Sequence, residues 1–168
     1  MLIGPCTRDH APEILAIYNH EIAHSTSIYD YEPRTPEVMR AWFDVKERGG
    51  LPVLGAFDAD GTLAGFATYG LFRDRPAYGR TMEHSVYVRA DRRGRGVGRV
   101  LLNKIVAAAR ARELHVLVGV IDAANTASVA LHRAAGFTHA GTLREVGYKF
   151  GRWLDVDFYQ LKLVEPVA

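Results

Sequence analysis

The sequence contains a single cysteine, Cys6, so an internal disulfide is impossible and a reducing compartment such as the cytoplasm suits the chain. Its longest apolar runs, such as residues 116–121, are far too short to span a bilayer. Residues 1–5 lack the basic and apolar regions of a signal peptide. The net charge of +2 gives no argument for nucleic-acid binding. Without repeats, low-complexity tracts or linkers, residues 1–168 are expected to form one domain that is cytoplasmic and binds no membrane.

Strand-like and helix-like apolar patterns alternate along the chain and predict the order β-α-α-β-β-β-α-β-α-β-β. This order indicates an α/β fold with a mixed sheet. The unit over residues 81–121 should be a right-handed parallel crossover, and residues 114–121 read as a strand buried on both faces. Residues 147–153 should connect the last two strands. The predicted strands cover residues 1–4, 52–57, 63–69, 81–88, 114–121, 138–146 and 154–163, and the helices begin at Asp9 or His10, Thr35, Val97 and Asn125.

Three glycines at alternate positions, Gly94, Gly96 and Gly98, separate the strand over residues 81–88 from the helix that follows. The first turn of a helix leaves N–H groups unpaired, and its dipole favours an anion there. Glycine lets the backbone approach that anion, and four arginines surround the turn. The pattern therefore indicates a phosphate or pyrophosphate site, although such a turn can also be a solvated connection. It fits neither the dinucleotide fingerprint nor the Walker pattern.

The spacing Arg93-x-x-Gly96-x-Gly98 resembles the pyrophosphate loop of the GCN5-related N-acetyltransferases, which bind acetyl-coenzyme A. Residues 125–137 resemble the second coenzyme A segment of that family. Residues 83–88, the Leu131-His132 pair and residues 149–155 are similar to the phosphinothricin N-acetyltransferase branch, which includes enzymes acting on methionine sulfone and methionine sulfoximine. The resemblance implies the acetyltransferase fold, with a mostly antiparallel mixed sheet flanked by helices. It also implies acetyl-coenzyme A as co-substrate, no metal, and a homodimer.

The resemblance assigns cofactor binding to the central strand, the glycine turn and the start of a later helix. The strand would pair with the pantetheine arm through its backbone, although a plain core strand would look the same. Asn125 is equally well explained as a helix cap. The implied cofactor-binding residues are Val86, Tyr87, Val88, Gly94, Arg95, Gly96, Val97, Gly98, Arg99, Asn125 and Ser128.

Glu83 is the candidate general base, because a carboxylate on a central strand is costly unless it has a task or a partner. The alternative is a salt-bridged or surface glutamate. By strand alternation Ser85 shares the face of Glu83, and His84 points away from it. At position 132 many acetyltransferases carry a tyrosine that protonates the leaving thiolate. His132 is the candidate here, with water as the acid or a merely packed histidine as alternatives.

The resemblance places the substrate next to the charged segment before the central strand, where arginine forks suit a carboxylate. A solvated loop is the alternative for Arg73 and Arg75. The substrate-binding candidates are Phe72, Arg73, Asp74, Arg75, Glu83, His84 and Ser85. The predicted reaction is direct acetyl transfer from acetyl-coenzyme A to the α-amine of a small amino-acid-like substrate. The alternatives are an acetyltransferase for protein N-termini or polyamines, a non-catalytic acyl-coenzyme A-binding module, and nucleic-acid binding through the arginine cluster.

Overall fold

A single seven-stranded sheet organises the computed structural model, which describes residues 1–163. The strands are β1 (Leu2–Pro5), β2 (Val53–Phe57), β3 (Leu63–Leu71), β4 (Thr81–Val88), β5 (Val116–Asp122), β6 (Thr138–Lys149) and β7 (Arg152–Lys162). Their order in the sheet is β1-β2-β3-β4-β5-β7-β6, with β4 in the middle. Within the described residues only β4 and β5 pair in parallel, and the other neighbours are antiparallel. The predicted mixed sheet and the parallel β4–β5 crossover are therefore confirmed.

Two of the helices begin at side-chain caps that the sequence supplies. The Thr35 side chain accepts from the N–H of Val38, and Asn125 accepts from the N–H of Ser128 at 3.0 Å. The helix of the central crossover begins after Gly96, whose φ of +81° is left-handed. Short 3₁₀ turns occupy residues 8–10, 76–78 and 90–92. The α-helices are α1 (Ala11–His24), α2 (Pro36–Arg48), α3 (Val97–Ala111) and α4 (Thr126–Ala134).

Two hydrophobic clusters cover the two faces of the sheet. Phe66 belongs to the cluster formed with α1 and α2, and its neighbour Ala67 to the cluster formed with α3. Adjacent strand residues point to opposite faces, so the two clusters lie on opposite sides of the sheet. Leu101 and Ile105 of α3 are fully buried on one side, as is Ile14 of α1 on the other.

Two details of the predicted sheet are wrong. Residues 147–153 are not a connection, because β6 runs to Lys149, β7 begins at Arg152, and only Phe150 and Gly151 turn the chain. Both turn residues have positive φ, +51° and +74°, as a two-residue turn matched to strand twist requires. The strand predicted over residues 114–121 is not buried on both faces throughout, since Val120 is 40% exposed where β5 has separated from β4.

Candidate active site

The site begins where β4 and β5 separate. The two strands pair only from Thr81 with Val116 to Glu83 with Val118, although β4 continues to Val88 and β5 to Asp122. Beyond Glu83, therefore, the edge of β4 that faces β5 makes no hydrogen bonds to β5, while the other edge of β4 stays paired with β3. A cleft of about 770 Å³ opens at this point. Exposed strand-edge groups of this kind can pair with an extended ligand.

The glycine turn borders the same cleft and leads into α3. Gly94 and Gly96 both have positive φ, +72° and +81°, and a Cβ at either position would meet no atom within 4 Å. The turn thus needs glycine for its backbone conformation, and its backbone faces open space beside the first turn of α3. The unpaired N–H groups of that turn and the Arg99 side chain suit an anion.

Two of the four arginines around the turn are already engaged. Arg92 pairs with Asp58 at 2.7 Å, and Arg93 donates to the buried carboxylate of Glu21 at the end of α1. Arg95 and Arg99 take part in none of the ion pairs found among residues 1–163. The two engaged arginines fix the loop, and Arg99 lines the cleft.

Two buried histidines in the lining of the cleft are in direct contact. His84 of β4 and His132 of α4 approach with their Nε2 atoms 2.9 Å apart. His84 Nδ1 donates to the Val118 carbonyl at 2.9 Å, and His132 Nδ1 donates to the Ser128 carbonyl at 2.7 Å. Burial, followed by the charge of His132, lowers the pKa of His84 to about 3, and burial lowers the pKa of His132.

The opposite face of β4 borders a second cavity, of about 750 Å³, between the sheet and α1 and α2. Glu83, Ser85 and Tyr87 line it, as strand alternation predicts for the first two. Burial raises the pKa of Glu83, and the positive charge of Arg73 acts in the opposite direction. A carboxyl group with a raised pKa beside a cavity is a suitable proton acceptor for an amine.

Lys46 is a residue of this cavity that the sequence interpretation missed. Its ammonium group is buried and donates to the Tyr69 carbonyl at 2.7 Å, and burial lowers its pKa to about 8. A signal was present, because Lys46 follows Met39 and Phe43 on the buried stripe of α2, where an apolar residue is expected. Arg34 places a second cation at the cavity.

The segment after β3 lies outside both cavities. Phe72, Arg73, Asp74 and Arg75 are not among the lining residues, and the last three are exposed. The Arg73 guanidinium stacks over the Phe72 ring at 4.4 Å. Of the other predicted substrate residues, His84 borders the first cleft, Glu83 borders the second cavity, and Ser85 borders both. The first cleft is also lined by Val86, Tyr87, Val88, Gly94, Gly96, Val97, Gly98, Arg99, Asn125, Ser128 and His132, but not by Arg95.

Residues 25–34, between α1 and α2, are held at the cleft by contacts from distant segments. The buried Lys149 ammonium donates to the carbonyls of Ser25 and Ile28, at 2.9 and 2.6 Å. The Thr26 hydroxyl donates to the Asp122 carboxylate at the end of β5. None of these partners is near in sequence, so no local pattern indicated them.

The sequence and the fold both match known acetyltransferases. The model of the Acetyltransferase (GNAT) family matches residues 14–137. The chain belongs to this family. An L-methionine sulfoximine/L-methionine sulfone acetyltransferase of Pseudomonas aeruginosa is 47% identical over 90% of this chain and 88% of its own. A phosphinothricin N-acetyltransferase of Alcaligenes faecalis is 42% identical over 92% and 79%. A Salmonella typhimurium acetyltransferase solved with its cofactor acetyl-CoA superposes with a TM-score of 0.96 at 37% identity, over 100% of this chain and 96% of that one.

As a GNAT enzyme, the protein is an N-acetyltransferase with acetyl-CoA as donor. The residues of the first cleft fit this cofactor, because the glycine turn leaves open space beside the N–H groups of α3 and the free edge of β4 suits an amide-bearing arm. Acetyl-CoA supplies an acetyl group activated as a thioester. Among residues 1–163, no group of three or more His, Cys, Asp or Glu side chains is arranged to hold a metal ion. No helix in the same range is both long and apolar enough to cross a membrane.

Proposed function

We propose that the protein acetylates the α-amine of a small amino acid of the methionine sulfoximine, methionine sulfone or phosphinothricin type. The supporting observation is that Glu83 lines a cavity that contains cationic side chains, while Ser85 and Tyr87 of the same strand line both this cavity and the cleft suited to acetyl-CoA. The names of relatives at 42–47% identity supply the substrate class. Asp30 and Glu32 also line the cavity, and Arg34 is already paired with Asp30 at 3.0 Å, so Lys46 is the cation that we expect to attract an acidic or strongly polar side chain. Arg73 and Arg75 remain the predicted carboxylate ligands.

Glu83 acts as the general base in this proposal. An amino-acid amine is mostly protonated at neutral pH, and Glu83 takes up one of its protons before attack. Burial raises the pKa of Glu83 and so reduces the difference between this pKa and the pKa of the amine. Attack is direct, because the one cysteine is not activated: burial raises the pKa of Cys6 to about 12. The backbone N–H groups of β4 beyond Glu83 face the cleft edge and supply donors for the developing oxyanion.

A thiol-release assay with acetyl-CoA tests the substrate class. The amine panel contains methionine sulfoximine, methionine sulfone, phosphinothricin, ordinary amino acids, a peptide with a free N-terminus and a polyamine. We expect the highest kcat/KM with the first three. Turnover confined to the peptide or the polyamine would overturn the proposal in favour of those acceptors.

Substituting the base tests its role. Glu83→Gln keeps the shape of the side chain and should lower kcat by about 10²–10⁴-fold with little change in KM for acetyl-CoA. Glu113→Gln, at an exposed position after α3, is the matched control and should be neutral. A Glu83→Gln enzyme with unchanged kcat would show that another group accepts the proton.

We also propose a homodimer formed through the β6–β7 hairpin. Leu143, Val146, Tyr148, Phe150 and Trp153 are large, apolar and exposed on this hairpin, which is the composition of an interaction surface. Phe150 also lines the acetyl-CoA cleft, so a second copy packed there would lie beside the site. Sedimentation should show a dimer that Trp153→Glu dissociates and Lys162→Glu leaves intact. A monomeric wild-type protein at micromolar concentration would contradict this.

Location and nucleic-acid binding are also open to direct tests. We propose a cytoplasmic location, which is supported by the use of acetyl-CoA, and cell fractionation tests it. We also propose that the protein does not bind nucleic acid, because Arg92 and Arg93 are both held by carboxylates within the chain. Salt-dependent DNA affinity in a titration would contradict this.

A further inference from the structure

The contact between the two cleft histidines does not fit two ordinary neutral rings. Each Nδ1 lies against a backbone carbonyl, that of Val118 for His84 and that of Ser128 for His132. A carbonyl only accepts, so each Nδ1 must carry its hydrogen, and in a neutral ring the Nε2 is then a bare acceptor. Yet the two Nε2 atoms are 2.9 Å apart, the distance of a hydrogen bond. Two neutral rings would oppose two lone pairs at this distance.

We propose that His84 and His132 share one proton between their Nε2 atoms at neutral pH, and that this proton protonates the sulfur when coenzyme A leaves. One proton turns the opposed lone pairs into a charge-assisted N–H···N hydrogen bond. Two protons would place two cations in contact. The second half of the inference rests on the proposed acetyl transfer, whereas the sharing itself does not.

The surroundings of the pair limit it to one proton. Burial, followed by the neighbouring charge, lowers the pKa of His84 to about 3, which excludes double protonation at neutral pH. Burial also lowers the pKa of His132, and the carbonyls of Val118 and Ser128 act in the opposite direction on their rings. The argument for the first proton is the 2.9 Å contact between the Nε2 atoms, which needs a hydrogen between them. The Phe137 ring packs against both imidazoles. The charged side chains that border the same cleft are Glu21, Asp122, Arg92, Arg93, Arg99 and Arg152.

One neutral arrangement competes with the shared proton. The Ser128 hydroxyl is 3.4 Å from His132 Nδ1 and would donate to it if His132 carried its hydrogen on Nε2 instead. That tautomer leaves a lone pair of Nδ1 only 2.7 Å from the Ser128 carbonyl. The contact with the carbonyl is the shorter of the two and favours hydrogen on Nδ1. Ser128→Ala removes the competing donor and separates the two cases.

The proton balance of the reaction closes with this pair. Glu83 takes one proton from the ammonium group before attack and passes it to water, and it takes a second proton from the nitrogen once the carbon–nitrogen bond has formed. His132 gives the shared proton to sulfur as the carbon–sulfur bond breaks and its electron pair stays on sulfur. The pair is then neutral and regains a proton from water, and Glu83 returns its proton to water. His84 acts as a positioning residue in this scheme, because it holds the proton on His132 and need not touch the sulfur.

Nuclear magnetic resonance of the ligand-free protein tests the sharing directly. In ¹⁵N-histidine-labelled wild-type protein at neutral pH, both Nδ1 atoms should be protonated. A single strongly deshielded proton should couple to the two Nε2 atoms. The exposed His115 supplies an ordinary imidazole for reference. The pattern should persist in Ser128→Ala. A His132 ring with a bare Nδ1, or the loss of the shared signal in Ser128→Ala, would overturn the inference.

Kinetics of His84→Gln test the delivery of the proton. We expect kcat to fall by about 10²-fold, the low end for acid–base catalysis, with KM for acetyl-CoA within about twofold of wild type. The basic limb of the kcat profile should move to lower pH, because the glutamine amide is a much weaker base than the imidazole that stabilises the proton on His132. His115→Gln should change neither. An unmoved limb and unchanged kcat would overturn the delivery step. If wild-type protein acetylates none of the panel amines, the proposed function fails, and the resonance experiment still decides the sharing.

Discussion

The link between Glu21 and Arg93 allows a prediction about the glycine turn that can be worked out from the structure. Glu21 lies at the end of α1 with its side chain 4% exposed, and Arg93 precedes the turn with its side chain 50% exposed. The Glu21 carboxylate also accepts from the Ser25 hydroxyl at 2.8 Å. Arg93→Met removes the only ion-pair partner of Glu21 among residues 1–163 and leaves a buried charge.

The magnitude follows from the difference in exposure. Removing one partner of a fully buried ion pair costs about 3–5 kcal/mol. Water reaches the Arg93 half of this pair and Ser25 continues to bind the carboxylate, so we reduce the cost of Arg93→Met to about 1–3 kcal/mol. For a chain of this size that corresponds to a Tm lower by about 2–12 °C. Glu21→Gln should cost less, because the released guanidinium is half exposed and is hydrated by water.

Thermal and denaturant unfolding of both single variants and the double variant form the assay. The double variant Glu21→Gln/Arg93→Met should be no less stable than Arg93→Met, so the coupling energy should be at least as large as the cost of Glu21→Gln alone. Arg40→Met is the matched control, because Arg40 pairs with Glu37 in an exposed contact worth about 0–1 kcal/mol. Additive single effects, or a larger loss from Glu21→Gln than from Arg93→Met, would refute the reasoning.

Three further outcomes are expected. Asn125→Ala should lower the free energy of unfolding by about 1 kcal/mol, and Asn125→Asp should restore it, because the loss is that of a helix cap. Gly96→Ala should lower the free energy of unfolding by about 1–2 kcal/mol, because residue 96 has a left-handed φ, although its added Cβ would meet no atom. It should also weaken the thermal stabilisation given by coenzyme A. Arg73→Gln should move the acidic limb of kcat/KM to higher pH, because the Arg73 charge lowers the pKa of Glu83 and the base must be deprotonated to act. Arg80→Gln, in the same loop, should leave that limb in place.

The order of elements was predictable because local signals agreed with the final fold. Alternating apolar residues indicated β4, and Thr35 and Asn125 marked two helix starts that the structure confirms. The turn at Phe150 and Gly151 was not predictable in the same way, because Phe150 has a positive φ and a bulky residue rarely adopts that conformation. A conformation imposed by pairing between β6 and β7 leaves no local signature.

The residues of the site were likewise predictable only where local sequence signals determine them. The glycine turn and the alternation of Glu83 and His84 were predictable from spacing alone. Spacing indicated that Lys46 lies on the buried stripe of α2, but not that it binds the Tyr69 carbonyl. The contacts of Lys149 and Asp122 with residues 25–34 join partners far apart in sequence, so spacing carried no information about them. Such contacts follow from how α2, β5 and the β6–β7 hairpin pack, which the sequence pattern does not specify.

The separation of β4 from β5 immediately after Glu83 explains why one short strand can serve two ligands. Successive side chains of a strand point to opposite faces, so Glu83 reaches the second cavity and His84 reaches the cleft, while Ser85 lies where the two cavities meet and lines both. The ladder ends at Glu83, which frees the backbone of the next residues for an extended ligand without moving either face. The proposed base, one histidine of the proposed pair and the free backbone edge thus all belong to one strand, and α4 supplies the second histidine. Since the side-chain period is two, a shift of one residue in the pairing of β4 with β3 would exchange the faces and separate Glu83 from its cavity.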